Sequence, residues 1–264
     1  MIDSGAARNA TDLKHQYFPD VGVETVRTTL WNQGLRPYVR QTKPLTSQHV
    51  KKRLDWVERH CYWVEGDWGA VISSDEFKFN LVGSDGQEWC WREPGHANEP
   101  RYTKKKVKHG GGSVMVWGCI TSHGVGELHR IEGTMDRYVY VNILRKSLLG
   151  TLEQYGLDRE AVYFQQDGDS KHTSKHAVGF LDVEGIDLLP WSPNSPNMSP
   201  IENLCDYLDR LVRARNPWLK NLDELWLALK EWESIPQRFI DKLYSNMPSR
   251  VCDLLKANGR HTRY

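Results

Sequence analysis

From Ala70 onward the chain alternates short β-rich runs with helical runs, and the order of those runs limits the fold more than any single residue does. AVISSDEFKFNLV, EWCWREP and SVMVWGCI read as strands, with GELHRIEG as the antiparallel neighbour of the last. Residues 135–155 carry an amphipathic helical period, AVYFQQD is a further strand, 174–184 a helix and IDLLPW a short strand. Beyond Pro200 every segment reads as helix. Antiparallel strands followed by β-α-β crossovers predict a mixed sheet with helices on its faces, an α/β domain of about 190 residues.

The segment ahead of it has a different texture. Residues 9–18 form a short helix with Leu13 and Tyr17 on one face, and Pro19-Asp20 breaks it. ETVRTTLWNQ, residues 24–33, forms a second, with Val23, Val26, Leu30 and Trp31 as its apolar stripe and Gly34 as its stop. Two short helices around a tight turn outline a helix-turn-helix, and a plain helical hairpin fits the same pattern. Residues 36–44, RPYVRQTKP, have no helical period and read as an extended linker able to follow a phosphate backbone. A basic helix over 47–60 follows, with Val50, Leu54 and Val57 as its apolar line. The predicted domains are therefore 1–45 and 46–264.

Composition excludes several classes. With 39% hydrophobic and 26% charged residues the chain is that of a folded protein rather than a disordered tail. No apolar run reaches membrane-span length, and the N-terminus has no apolar signal core. Five cysteines without a C-x-x-C pair argue against a disulfide framework and a cysteine zinc site, and fit a reducing intracellular compartment. The net charge of +1 names no partner. Its distribution says more: the first 60 residues hold ten Lys and Arg against six Asp and Glu, the remainder 25 against 28. A basic front precedes an acidic body.

Three acids fall where such a sheet brings chain together: Asp75 within a strand, Asp167 at a strand end before Gly168, and Glu202 in the first turn of a helix after the proline-broken segment 191–200. Hard oxygen donors gathered at one sheet edge suit Mg²⁺ or Mn²⁺, and paired ions serve phosphodiester chemistry. Each acid also has a structural reading. Asp75 can be an exposed strand residue, with Glu76 on the opposite face. Asp167 can be a turn former, and Ser199-Pro200-Ile201-Glu202 has the form of a capping box. His172 and His176, four apart, lack a third zinc ligand and read as a helix surface.

Six ordered motifs extend the comparison: ETVRTTL with the KPLTSQHVKKRLDWVERH lead-in, SSDEFKF, EWCWREPG, GGGSVMVWGCI, QQDGDSKHTS and SPNMSPIENL. With 34 residues between Asp167 and Glu202, the chain resembles a mariner-superfamily DDE transposase over most of its length. The resemblance implies a ribonuclease-H-like catalytic domain, a mixed sheet flanked by helices, behind a small all-α helix-turn-helix remnant. It implies Asp75, Asp167 and Glu202 as the catalytic, metal-binding triad, holding two Mg²⁺ or Mn²⁺ ions. It also implies cut-and-paste transposition in the nucleus: hydrolysis at the element's inverted-repeat ends, then attack of the freed 3′-hydroxyl on target DNA, by a homodimer and without a small-molecule substrate. Arg27 and Lys43 would contact element ends, and Lys104, Lys105, Lys106 and Lys108 would clamp the DNA backbone. Family members begin earlier, so the N-terminal helices correspond to the later part of a bipartite DNA-binding region. Gly168 and Ser170 stand where Asn and Pro are usual, Asn197-Met198-Ser199 replaces an Asp-Leu-Asn run, and Ser74 and Cys205 replace tryptophans. Those departures keep a second function open, that of a catalytically impaired or domesticated DNA-binding descendant; a general nuclease on RNA–DNA hybrids is a third.

Overall fold

The computed structural model describes residues 10–39, 45–81, 89–93, 112–192, 195–215 and 219–262. The chain divides into two compact units, Met1–Pro44 with Asp85–Lys108, and Leu45–Ser84 with His109–Tyr264.

In the first unit, α1 (Ala10–Tyr17) and α2 (Val23–Asn32) are followed by β1 (Arg36–Val39), which pairs antiparallel with β3 (Trp89–Arg92). Helix α2 stops as its sequence requires. Gly34 takes φ +80°, and the N–H groups of Gly34 and Leu35 return to the carbonyls of Trp31 and Leu30, a left-handed closure that a Cβ would oppose. Ala10, Leu13, Val26 and Leu30 are buried together with Trp91 of β3. Two expectations change here. The first four residues of the supposed linker are a strand, and EWCWREP pairs with that strand rather than joining the large sheet, so this unit is not all-helical. The physical reason is the size of the helical stripe: four small or aliphatic residues leave an open core, which the indole of Trp91 fills. Trp31, expected inside, is exposed, and the Arg36 guanidinium lies 3.9 Å from its ring centroid.

The second unit opens with α3 (Ser47–His60), where Thr46 and His49 form a reciprocal cap: the Thr46 hydroxyl accepts from the His49 N–H at 3.2 Å. Thr46→Ala is expected to lower stability by ~1 kcal/mol, read in a denaturant midpoint; an unchanged midpoint would show the cap to be idle. The buried face of α3 is Arg53, Trp56, Val57 and His60, displaced from the expected Val50–Leu54–Val57 line. Arg53 is tolerated at a core position because its guanidinium donates to the Gly259 carbonyl at 2.9 Å and the Ser195 hydroxyl at 3.0 Å.

After the short α4 (Glu65–Gly69) come β2 (Val71–Asn80), β4 (Ser113–Thr121), β5 (Gly124–Val125), β6 (His129–Ile131), β7 (Tyr163–Gln165) and β8 (Asp187–Leu188). Their order is β5-β4-β2-β7-β8, with β6 also on β4. Strand β2 runs antiparallel to β4 and parallel to β7, so the sheet is mixed, as the strand–helix order implies. Between β6 and β7 run α5 (Arg137–Ile143) and α6 (Leu149–Tyr155), joined by one π-helical turn over 144–148; α7 (Lys175–Val183) links β7 to β8. The helices α8 (Pro200–Arg213), α9 (Leu222–Leu229), α10 (Gln237–Ser245) and α11 (Met247–Lys256) complete the unit.

Alternation along β2 and β4 sorts their side chains into two cores. Val71, Phe79, Val116 and Ile120 pack with residues of α3, α8, α9, α10 and α11; Ile72, Trp117 and Cys119 pack with residues of α5, α6 and α7. By that alternation Asp75 shares the α8 face and Glu76 the α5–α7 face. The far end of α8 is tied to β2 by Arg213, which donates to the carbonyls of Asn80 and Leu81 at 2.6 and 3.2 Å. That tie lays α8 along the strand and fixes where its first turn falls.

Candidate active site

The three acids marked by the sequence line one open cleft of about 520 Å³, together with Glu76, Phe77, Gln165, Trp191 and Ser199. Asp75 lies in the middle of β2, and its Oδ1 accepts the Glu76 N–H at 2.7 Å. Asp167 lies two residues past the end of β7. Its Oδ1 accepts the Asp169 N–H at 2.9 Å, so the expected turn-forming bond is present and leaves the second oxygen free of it.

Glu202 sits in the first turn of α8, but not as a capping residue. Ser199 is the N-cap and Pro200 holds N1, yet no side chain caps the helix. The Ser199 hydroxyl is drawn instead to a buried polar pair, 3.3 Å from Ser73 Oγ and 3.5 Å from Gln165 Oε1. Ser73 and Gln165, opposite one another on β2 and β7, are themselves hydrogen-bonded. Released from the helix end, the Glu202 carboxylate lines the same cleft as Asp75.

Electrostatics follow from this crowding. Burial, then the Glu202 charge, push Asp75 up to about 8, with Glu76 and Asp167 adding to the repulsion. Burial and Asp206 raise Glu202 as well. Asp167 moves the other way, held below the ordinary carboxylate range first by its hydrogen bond with His172. The site is thus a buried, mutually repelling carboxylate pair beside a third, half-exposed carboxylate. Among the described residues, no three His, Cys, Asp or Glu side chains already stand as a set that could hold a metal ion.

Two neighbours escaped the sequence reading. His172 is not on a helix surface: it lies 2% exposed in the turn before α7, its Nδ1 2.5 Å from Asp167 Oδ1 and its Nε2 3.0 Å from Glu76 Oε1. Burial by itself would lower this imidazole, but the bonds to Asp167 and Glu76 outweigh it and carry it up to about 9. Glu76 does face away from Asp75, as alternation requires; what awaits it there is visible only in three dimensions. His176, by contrast, is exposed on α7 beside Tyr138.

Some departures from the family pattern are accommodated locally. Ser74 is buried and donates to the Gln165 carbonyl at 2.9 Å, stitching β2 to β7 beside the acids. Cys205 is buried one turn beyond Glu202, and burial drives its thiol pKa well up. A side chain at Gly168 would meet open space. Of the expected nucleic-acid contacts, Arg27 is exposed on α2 and ion-paired with Glu24. Lys43, Lys104, Lys105, Lys106 and Lys108 lie outside the described residues.

No family model matches the chain. Curated relatives do. It is 39% identical over 242 residues to the transposable element Tcb1 transposase of Caenorhabditis briggsae, covering 91% of this chain and 87% of that protein. The transposable element Tc1 transposase of Caenorhabditis elegans is 39% identical over 266 residues, covering 97% and 95%. Among solved structures, the Mos1 mariner paired end complex with Mn superposes with a TM-score of 0.70 at 17% identity, over 99% of this chain and 78% of that one. The catalytic domain of Mos1 mariner transposase superposes at 0.67, over 84% of this chain and all of that one. The second-unit sheet with helices on both faces is thus the ribonuclease-H-like fold of those structures. Sequence identity and shared architecture agree: the chain is a member of the Tc1/mariner family of transposases.

Proposed function

We propose that the cleft between β2, the end of β7 and the start of α8 is the centre at which this transposase cuts DNA at the ends of its element and joins the freed 3′-end to a target. The observation that carries this reading is the enclosure of the Asp75 and Glu202 carboxylates in one cleft that Asp167 also lines, where the Glu202 charge raises Asp75. Two carboxylates whose proton affinity is raised by burial and by neighbouring charge, Glu202 acting on Asp75 and Asp206 on Glu202, call for a cation in place of a proton. The donors are hard oxygens, which suit Mg²⁺ or Mn²⁺. Asp75 and Glu202 would hold the ions, and Asp167 would add its Oδ2, the oxygen not engaged by Asp169 or His172. When bound, a pair of such ions supplies an activated water or 3′-hydroxyl and charge neutralisation at the leaving oxygen.

The rest belongs to the chain. Phe77 and Trp191 give the cleft apolar walls on which a nucleotide can rest. Arg27 and Lys43 would hold the element ends, and Lys104, Lys105, Lys106 and Lys108 would neutralise backbone phosphates. Two copies would pair the two ends, in the nucleus.

The test uses the whole chain and a duplex that ends in the terminal sequences read from the DNA flanking its gene. Nicking that requires Mg²⁺ or Mn²⁺, and that falls to background in Asp167→Ala, is the expected result. Salt-sensitive binding with no scission under any metal would replace this reading with that of a DNA-binding descendant. Scission unchanged in Asp167→Ala would place the chemistry elsewhere.

A further inference from the structure

We propose that His172 is a positioning residue which fixes the orientation of the Asp167 carboxylate, and that Glu76, from the opposite face of β2, fixes His172 in turn. The inference rests on the reading of the cleft given above and adds two residues to it.

The argument begins with exposure. Asp167 has a side chain 55% exposed on a short connection past the end of β7, where a carboxylate would ordinarily rotate through several states. A ligand with that freedom loses it on binding a cation, at a cost in affinity. His172 removes the freedom beforehand. Its side chain is 3% exposed, with three neighbours on the ring and a fourth on its backbone. Tyr140 lies against it with ring centroids 4.2 Å apart. Gln166 donates to its carbonyl at 3.2 Å while accepting the Tyr140 hydroxyl at 2.5 Å. Glu76 Oε1 takes Nε2 at 3.0 Å, and Asp167 Oδ1 takes Nδ1 at 2.5 Å.

Both bonds that Asp167 makes in the structure, to His172 and to the Asp169 N–H, fall on Oδ1. The consequence is a carboxylate with one oxygen committed and the other available, pre-oriented by a rigid ring. Carboxylates that ligate metal ions are themselves held by outer hydrogen bonds, and loss of such a support weakens metal affinity without removing the ligand.

Three variants separate this role from simple packing. In His172→Asn the amide nitrogen falls near the position of Nδ1 and can still donate to Asp167. In His172→Gln it falls near Nε2 and can reach only Glu76. His172→Ala keeps neither contact. Mn²⁺ binding to the whole chain, followed by the electron paramagnetic resonance of free Mn²⁺, reads the effect without any cleavage assay.

The Ala and Gln variants are expected to need about 10–100-fold more Mn²⁺ for half-saturation, and the Asn variant no more than about threefold more. Thermal midpoints in EDTA report the loss of metal-free stability, from packing and from the broken bonds to Asp167 and Glu76, and are expected to fall in all three. Equal weakening in Asn and Ala, or unaltered Mn²⁺ binding in Ala, would overturn the positioning role. Mn²⁺ binding that persists in Asp75→Ala would instead overturn the reading of the cleft, so the two failures are told apart.

Discussion

Asp75→Asn is expected to make the metal-free protein more stable at pH 8 while ending metal-dependent cleavage. Burial and the neighbouring Glu202 raise the Asp75 carboxyl from its ordinary 3.8 to about 8. The folded state therefore holds a proton that the unfolded chain has released over most of that interval, and stability falls as pH rises through it. What Asp75 contributes is fully present below about pH 4 and lost by about pH 8. Asparagine keeps the shape and cannot ionise. Its advantage over the wild type should grow across the same window to on the order of 2 kcal/mol, or about 4–8 °C in thermal midpoint for a domain this size.

Saturating Mg²⁺ should reverse the order, because a ligand bound only by the folded state adds about 2.7 kcal/mol at a hundredfold excess over its Kd, and the variant lacks the site. Thermal melts at pH 5 and pH 8, with EDTA and with Mg²⁺, give the four values needed. A variant less stable than the wild type at pH 8 in EDTA would mean that Asp75 is not held against another carboxylate.

The second large effect concerns the scaffold. Trp232, in the 3-10 turn after α9, is fully buried and donates its indole N–H to the Gly126 carbonyl at 2.8 Å. Its ring covers Gly118, the residue of β4 that stands opposite Asp75, where an added Cβ would come within 3.3 Å of it. Trp232→Ala should cost ~3–5 kcal/mol, since it opens a cavity and leaves a buried carbonyl unpartnered, and it should lower the thermal midpoint by about 6–20 °C. Mn²⁺ affinity measured well below the new midpoint should also weaken, because β4 is the strand that backs Asp75. A loss under ~1 kcal/mol would show that the pocket collapses around the missing ring.

Much of this architecture was legible in the order of residues. The periods of α2, α3, β2, β4 and α7, the Gly34 stop and the helical C-terminal quarter each depend on neighbours within a turn or two. Capping, φ preference and side-chain alternation act over that distance. The mixed character of the sheet followed from the same order, because crossover handedness leaves few alternatives.

The failures share a cause. EWCWREP has the pattern of a strand, but nothing in a strand names its partner, and β3 pairs with β1 some 50 residues earlier, where Trp91 closes a small core. Ser199-Pro200-Ile201-Glu202 has the form of a capping box, but Ser73 and Gln165, from two other strands, claim the serine first. Alternation set Glu76 apart from Asp75, yet only the folded chain brings His172 from 96 residues away to join Glu76 to Asp167. Residue order by itself determined most of the elements, the mixed character of the sheet and the three acids worth marking, since each is written in short-range sterics and hydrophobic period. Tertiary structure alone decided which polar groups meet, because a hydrogen bond is satisfied by whichever partner the long-range packing delivers, at any separation along the chain.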